Sequence, residues 1–200
     1  MIHPQTELRR TDRAIGYGVV ATARIPRGTI TWVHDPLDRR FDSPSVARMP
    51  ALLRSALERY CYRELDGAYV LCWDHARFNN HSCRPSCRTV GDFDIAVRDI
   101  DAGEELTIEY ATINVLESFD CRCGAPDCRG AVRPDDAREL GARWDREILD
   151  AARLTPSVAQ PLEALFELSP TLAAMYADSR GGRDIVLPRS RDLVIGGAAA

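Results

Sequence analysis

Short apolar runs alternate with turn-forming residues along the first 115 positions, a pattern that is typical of β-strands. Two strands are predicted between residues 13 and 35, joined by a turn from Pro26 to Gly28. One inserted helix is predicted at about residues 45–62, where apolar residues recur every three or four positions. This half of the chain is therefore expected to be mainly sheet, with further strands at 69–73, 94–98 and 105–110.

The pattern becomes helical after residue 132. Leu140, Trp144 and Ile148 are spaced by four, and a second apolar group over 162–176 is interrupted at Pro170. The apolar face of these helices suits either packing on the β-rich part of the chain or a homodimer interface, and the spacing does not distinguish the two. Residues 181–200 are rich in glycine and are expected to be loosely ordered.

The composition is that of an ordinary globular protein. The 200 residues are 45% hydrophobic and 28% charged, which is enough to bury one core. No apolar run approaches the roughly 18 residues that a membrane span requires, and residues 1–7 do not resemble a secretory signal. We expect a cytoplasmic protein without membrane contact, the alternative being a secreted effector exported without a classical signal peptide.

The charge balance favours a basic partner. A formal net charge of −4 argues against direct nucleic-acid binding, which is usually accompanied by a basic excess. The acidic residues between 92 and 105 would either attract a basic peptide or form a solvated face. All 26 basic residues are arginine, and with abundant alanine this composition indicates a GC-rich genome and a bacterial source.

Seven cysteines give the chain its clearest candidate metal site. Their number is odd, and Cys121, Cys123 and Cys128 are clustered as Cys-x-Cys-x4-Cys. In an intracellular chain, such clustering favours metal ligation by thiolates over disulfides. A fourth thiolate would complete a tetrahedral structural zinc site, and both Cys83 and Cys87 stand in the segment 79–87.

Three motifs occur in order along the chain: Gly16-x-Gly18, then Asn80-His81-Ser82-Cys83-x-Pro85, then Gly103-Glu104-Glu105-Leu106-Thr107-x-Glu109-Tyr110. Together with the trailing cysteines, they resemble the SET-domain protein lysine methyltransferases over about residues 10–130. Two positions depart from the family's pattern. Ser86 stands where asparagine is usual, and Asn79 stands where an apolar residue is usual.

The resemblance implies a mainly β fold with helices, in which the segments leading to Cys83 and Tyr110 cross as a pseudoknot. It divides the chain into a SET domain (1–117), a post-SET zinc-binding segment (118–131) and a helical C-terminal extension (132–200). The implied activity is S-adenosylmethionine-dependent methyl transfer to the side-chain amine of lysine in a protein, such as a histone, a histone-like or another basic protein. The alternative is a catalytically silent SET-fold module that binds protein partners.

The resemblance also assigns roles to particular residues. Tyr110 is the expected catalytic tyrosine, and Tyr69 is a second tyrosine at the lysine channel. The residues expected to hold S-adenosylmethionine are Gly16, Tyr17, Gly18, Asn80 and His81. The expected zinc ligands are Cys83, Cys121, Cys123 and Cys128, with Cys87 as a rival for the place of Cys83. The residues expected to line the substrate channel are Ile108 and Trp32.

Overall fold

Twelve short strands form four small sheets in the part of the chain that the computed structural model describes, residues 1–11 and 16–195. The predicted fold class, mainly β with helices, is confirmed. In chain order the strands are β1 (Thr6–Arg10), β2 (Tyr17–Ala21), β3 (Ile30–Val33), β4 (Arg39–Phe41), β5 (Tyr62–Arg63), β6 (Tyr69–Leu71), β7 (Asn80–His81), β8 (Cys87–Val90), β9 (Phe93–Ala96), β10 (Glu105–Ile108), β11 (Phe119–Asp120) and β12 (Ala131–Val132).

The largest sheet has the strand order β1-β2-β10-β7. Strand β2 pairs antiparallel with β1 and β10, whereas β7 runs parallel to β10. In this parallel pair Thr107 lies opposite Asn80 and Ile108 lies opposite His81. The second and third motifs of the sequence are therefore side by side. The pseudoknot crossing of these segments stays a prediction.

A second sheet, ordered β3-β9-β8, carries the C-terminal helices. All residues of these three strands are buried, and Ile30, Phe93 and Ile95 pack in one cluster with Ile148 of the long helix. Burial on both faces explains why these strands show no strict alternation of apolar and polar residues. The remaining sheets have the orders β4-β6-β5 and β11-β12.

Four α-helices complete the described part of the chain: α1 (Ser43–Ala47), α2 (Ala51–Tyr60), α3 (Asp136–Ala152) and α4 (Pro170–Arg180). Trp144, Ile148 and Phe166 are each no more than 4% exposed, because they pack on the rest of the same chain. The spacing left open whether these side chains pack on the β-rich part of the chain or form a homodimer interface, and they pack on the chain. The homodimer stays a prediction. None of the helices in the described ranges has the length and apolar character needed to cross a membrane.

Two helices stand where the apolar spacing predicts a single one over residues 45–62. The Asp42 side chain caps α1 by accepting a hydrogen bond from the Ser45 N–H at 2.8 Å, and α2 begins only after Pro50. Proline has no N–H to donate and restricts the residue before it to extended conformations, so a continuous helix is broken there. Within α2 only Leu57 is buried.

The C-terminal tail is more ordered than its glycine content predicts. Ser190 begins a 3₁₀ turn and donates hydrogen bonds from its N–H and its hydroxyl to Asp145 Oδ1 on α3, at 2.8 and 2.6 Å. Val194 is buried beside Trp144. The last five residues of the predicted loose tail, 196–200, lie outside the described residues, as do residues 12–15 at the start of the first predicted strand region.

A buried ion network joins the largest sheet to the C-terminal half. Glu109 is completely buried and accepts two hydrogen bonds from the guanidinium of Arg129, at 2.8 and 3.0 Å. Arg129 also donates to Asp136 at 3.0 Å. Arg88 lies 3.9 Å from Glu109 and donates to Glu147 of α3 at 2.7 and 2.9 Å. Each buried carboxylate therefore has a cationic partner, which offsets its loss of hydration.

Removing one partner from this network is expected to destabilise the fold. Arg129→Met leaves Glu109 buried without its bidentate partner, and the expected loss is about 3 to 5 kcal/mol of unfolding free energy. Urea titration followed by circular dichroism measures it. The matched control is Arg153→Met, which removes an exposed arginine paired with Asp150 and should leave the midpoint unchanged. A loss in Arg129→Met no larger than in the control would contradict this account.

Candidate functional site

A cavity of about 990 Å³ opens beside the paired strands β7 and β10. This volume is at the upper end of the range for small-molecule sites. Ile108 at the end of β10 and Tyr110, two residues further on, both line it. The lining includes six aromatic rings, those of Trp32, Tyr60, Tyr62, Tyr69, Tyr110 and Phe119.

Tyr110 presents a protonated hydroxyl at this cavity. The hydroxyl donates a hydrogen bond to the carbonyl of Asn79 at 2.8 Å. Burial raises the pKa of Tyr110 to about 12, and the nearby charge of Glu105 acts in the same direction. The proton therefore stays on the oxygen at neutral pH, and the lone pairs of that oxygen can still accept a hydrogen bond.

His81 connects Tyr110 to the cysteine cluster. The backbone N–H of Tyr110 donates to Nδ1 of His81 at 3.2 Å, so the ring proton must sit on Nε2, which lies 3.4 Å from Cys83 Sγ. Burial lowers the pKa of His81, and Glu109 only partly opposes this effect. A neutral imidazole in a fixed tautomer therefore lies between the two candidate sites.

The residues predicted to hold the cofactor lie together at one edge of the largest sheet. Asn80 donates from Nδ2 to the carbonyl of Tyr17 at 2.9 Å and to Glu105 Oε1 at 2.6 Å. A Cβ atom on Gly18 would lie 2.3 Å from Glu105 Oε1 and 3.1 Å from Asn80 Nδ2. Gly16 has a φ of +96°, which glycine adopts without strain. Two motifs distant in sequence thus form one surface, in which the backbone angle favours glycine at position 16 and the space beside Glu105 and Asn80 favours glycine at position 18.

Four potential metal-ligand atoms, one of them from His81, lie close together. The side chains of His81, Cys83, Cys121 and Cys123 are buried, and their ligand atoms all lie within 4.8 Å of one another. Cys128 lies at the edge of this group, where its thiol donates to the Cys121 carbonyl at 3.5 Å. The three thiols could bind a metal ion with Cys128 as the fourth donor. His81 could take that place only if its ring proton moved from Nε2 to Nδ1, which would break the hydrogen bond from the Tyr110 N–H. The four-thiolate set stays a prediction.

The rival ligand Cys87 lies elsewhere. It is buried in the core cluster that contains Trp32 and Ile108, and it is absent from the donor group found among the described residues. Cys123 is the thiol most ready to ionise. Burial opposes its ionisation, but hydrogen bonds, chiefly from the backbone of Cys83 at 3.4 Å, outweigh burial and lower its pKa to about 7. A thiolate at neutral pH is the form that binds metals.

Tyr69 and Trp32, the two aromatic residues predicted at the substrate channel, both line the cavity, but they make different contacts. Tyr69 is buried, and its hydroxyl accepts a hydrogen bond from Arg63 at 3.1 Å while the same guanidinium lies 4.2 Å from the ring centroid. Trp32 packs edge to face with Tyr62 at a centroid distance of 5.7 Å. The sequence interpretation missed Tyr62, although the Tyr60-x-Tyr62 spacing ahead of a strand placed both rings near Tyr69 in the chain.

Asp94 is a second cavity residue that the sequence interpretation missed. It belongs to the acidic stretch between 92 and 105, but it lies in β9, is only 4% exposed and lines the cavity. Burial raises the pKa of Asp94 to about 6, and the Thr89 hydroxyl and the N-terminal ammonium offset this only in part. A solvated face was therefore the wrong interpretation for this residue. No alternation marks it, because all four residues of β9 are buried.

The SET-domain family profile matches residues 16–111. The matched stretch contains both glycines at the sheet edge, the Asn80–His81 strand and Tyr110. This part of the chain is therefore a SET domain, and the resemblance carried by the motifs is confirmed.

Similar proteins carry the same class of name. Histone-lysine N-methyltransferase ash1 of Drosophila melanogaster is 32% identical over 134 residues, which cover 58% of this chain and 6% of the relative. Human histone-lysine N-methyltransferase SETD2 is 26% identical over 182 residues, which cover 82% of this chain and 7% of the relative. The chain thus spans a small part of the length of these relatives. Among solved structures, KRYPTONITE in complex with mCHG DNA and SAH covers 64% of this chain and 28% of that chain, with a TM-score of 0.44 and 21% identity.

The number of thiolates in the metal site can be counted with cobalt. If Cys83, Cys121, Cys123 and Cys128 are the ligands, Co²⁺ loaded in place of the native metal gives the charge-transfer absorption of four thiolates, and Cys128→Ser weakens it. With His81 as the fourth ligand, His81→Ala would weaken metal binding and Cys128→Ser would not. Cys61→Ser is the matched control, because Cys61 packs in a separate cluster with Tyr69.

The buried carboxyl of Asp94 predicts a specific pH dependence of stability. Its pKa of about 6 exceeds the ordinary value of 3.8, so the folded chain binds the proton more tightly than the unfolded chain. Stability from this group is present below pH 4 and is lost as the pH rises to 6, by about 3 kcal/mol. Asp94→Asn should therefore gain stability relative to the parent chain between pH 4 and 7, measured by urea unfolding at each pH. Asp101→Asn, at an exposed position, is the control, and parallel curves for all three proteins would contradict the prediction.

Proposed function

We propose that this chain transfers methyl groups from S-adenosylmethionine to the side-chain amine of lysine in a basic protein such as a histone. The observation that carries the proposal is the pairing of β7 with β10, which puts the protonated hydroxyl of Tyr110 at the wall of an aromatic cavity and next to the Asn80–Gly18 surface. The names of ash1 and SETD2, both histone-lysine N-methyltransferases, support the same chemistry.

The cavity favours the neutral amine that methyl transfer needs. A lysine with a pKa near 10.4 is almost wholly protonated at pH 7, and deprotonating it there costs about 4.6 kcal/mol. Burial among Trp32, Tyr62 and Tyr110 disfavours the charged form and lowers this cost. Tyr110 keeps its own proton, so its role is to orient the amine through its oxygen rather than to remove a proton.

The surface formed by Gly16, Tyr17, Gly18, Asn80 and His81 fits the cofactor. Two glycines keep side chains away from the sheet edge, and a Cβ atom on Gly18 would fill the space beside Asn80. S-adenosylmethionine supplies the methyl group when it is bound. The chain itself holds the cofactor with backbone groups close to Tyr110. The hydrogen bond between Tyr110 and His81 fixes the position of Tyr110 relative to that surface.

We propose zinc for the cysteine cluster. Thiol donors in a buried tetrad are the chemistry that structural zinc sites use. The ion would tie Cys83, two residues after the Asn80–His81 strand, to Cys121 and Cys123 of the later segment. Its role is to hold that segment against the cofactor surface, and it takes no part in the reaction.

The basic character of the substrate follows from the charge of the chain. A net charge of −4 favours a basic protein, and the aromatic walls of the cavity attract ammonium groups through their π faces. We further propose that the chain does not bind nucleic acid directly and that it is located in the cytoplasm.

The activity can be tested with labelled S-adenosylmethionine and purified histones. Tyr110→Phe is expected to lower kcat/KM by about 10²-fold, because it removes the oxygen that orients the amine. Tyr176→Phe, on α4, is the matched control. The chain contains no lysine, so any labelled lysine side chain must belong to the added protein.

Two outcomes would contradict the proposal. One is equal turnover by the Tyr110→Phe variant and the parent chain. The other is tight binding of S-adenosylmethionine without transfer to histones or to a lysate, which would favour the catalytically silent binding module instead. Mass spectrometry of the labelled acceptor identifies the modified lysine and the number of methyl groups added.

A further inference from the structure

Three cavity residues form a row across the sheet β3-β9-β8. Asp94 in β9 lies opposite Trp32 in β3 and opposite Thr89 in β8. All three residues are buried to more than nine-tenths and line the cavity that also contains Tyr110. The row therefore presents an acid, a hydroxyl and an aromatic ring to the same space, on a rigid sheet and away from the cysteine cluster.

Two polar atoms of this row lack hydrogen-bond partners among the described residues. Asp94 Oδ1 and Thr89 Oγ1 are buried, and neither makes a hydrogen bond to any described residue. Thr89 lies close to Asp94 but outside hydrogen-bonding geometry. Buried polar atoms in native proteins nearly always have a partner, so unpaired ones that face a cavity indicate a ligand or ordered water.

No cation of the described chain neutralises Asp94. The three arginines that line the cavity are engaged elsewhere: Arg63 binds Tyr69, Arg77 donates to the carbonyls of Cys72 and Trp73, and Arg59 lies over the ring of Tyr60. The N-terminal ammonium bonds to Asp35 at 2.5 Å and has only a minor effect on Asp94. A carboxyl group without a counter-ion, beside the rings of Trp32 and Tyr62, has the chemistry that recognises an ammonium or a guanidinium.

We propose that Asp94 and Thr89 form a subsite that binds a basic side chain of the protein substrate. The proposal rests on the proposed function and names a residue that selects the substrate. A bound cation would supply the counter-ion that Asp94 lacks in the folded chain. The subsite therefore adds to the affinity for a basic substrate. The cationic side chain is either the target lysine, held as an ammonium before it loses its proton for methyl transfer, or a lysine or arginine beside it in the substrate.

The test compares the parent chain, Asp94→Asn and Thr89→Val on synthetic lysine peptides. One peptide has arginine next to the target lysine, a second has citrulline there, and a third has only the target lysine as a basic residue. Asp94→Asn keeps the shape of the side chain and removes its charge. We expect it to raise KM at least tenfold, with a smaller effect on kcat, and we expect Thr89→Val to raise KM less.

The peptides separate the two sources of the cation. If a flanking arginine occupies the subsite, the effect of Asp94→Asn on KM disappears with the citrulline peptide. If the target lysine occupies it, the effect is the same for all three peptides. Asp101→Asn, an exposed acid from the same stretch, is the control and should leave KM unchanged.

An unchanged KM for Asp94→Asn on every peptide that the parent chain methylates would overturn the inference and leave the proposed function intact. If the parent chain methylates none of the peptides, the proposed function fails separately. The subsite is then tested by isothermal titration with the arginine peptide. Binding that Asp94→Asn weakens at least tenfold supports the subsite, and equal binding by the parent chain and the variant overturns it.

Discussion

The buried carboxylate of Glu109 is the interaction on which the arrangement of the molecule depends. A carboxylate removed from water is strongly unfavourable unless cations and N–H donors replace its hydration. Glu109 receives two hydrogen bonds from Arg129 and one from the Ala111 N–H, with Arg88 at 3.9 Å. These groups come from separate parts of the chain. The end of β10, the cysteine segment and β8 must lie together for Glu109 to be satisfied, and α3 is joined to them through Asp136 and Glu147, which bind the two arginines.

This placement determines the geometry of the candidate site. Glu109 directly precedes Tyr110, so the register that brings the carboxylate to Arg129 also brings the tyrosine hydroxyl to Asn79. Arg129 directly follows Cys128 and places its own N–H 3.4 Å from Cys83 Sγ. Charge neutralisation in the interior and the alignment of the reacting groups are thus consequences of the same contacts.

Residue patterns predicted a large part of this architecture and of the site. Strands with clear boundaries, such as β6 and β10, and the four-residue spacing of α3 were visible because their local signals agree with the fold. The motifs brought out Asn80, His81 and Tyr110. Pairing was not visible, because β7 has only two residues and its partner is found through tertiary contacts. Asp94 was missed because burial on both faces of β9 removes the alternation that would show which way a side chain points. Tyr62 was missed because β5 has only two residues and so shows no pattern.

The ion network also bears on where the folding unit ends. The family profile stops at residue 111, yet one of the two cations beside Glu109 is residue 129, and the helix that carries Trp144 begins at Asp136. The boundary drawn by sequence similarity therefore lies inside the set of contacts that bury Glu109. A chain cut at residue 111 would keep Arg88 near Glu109 but would lose the arginine that donates two hydrogen bonds to it.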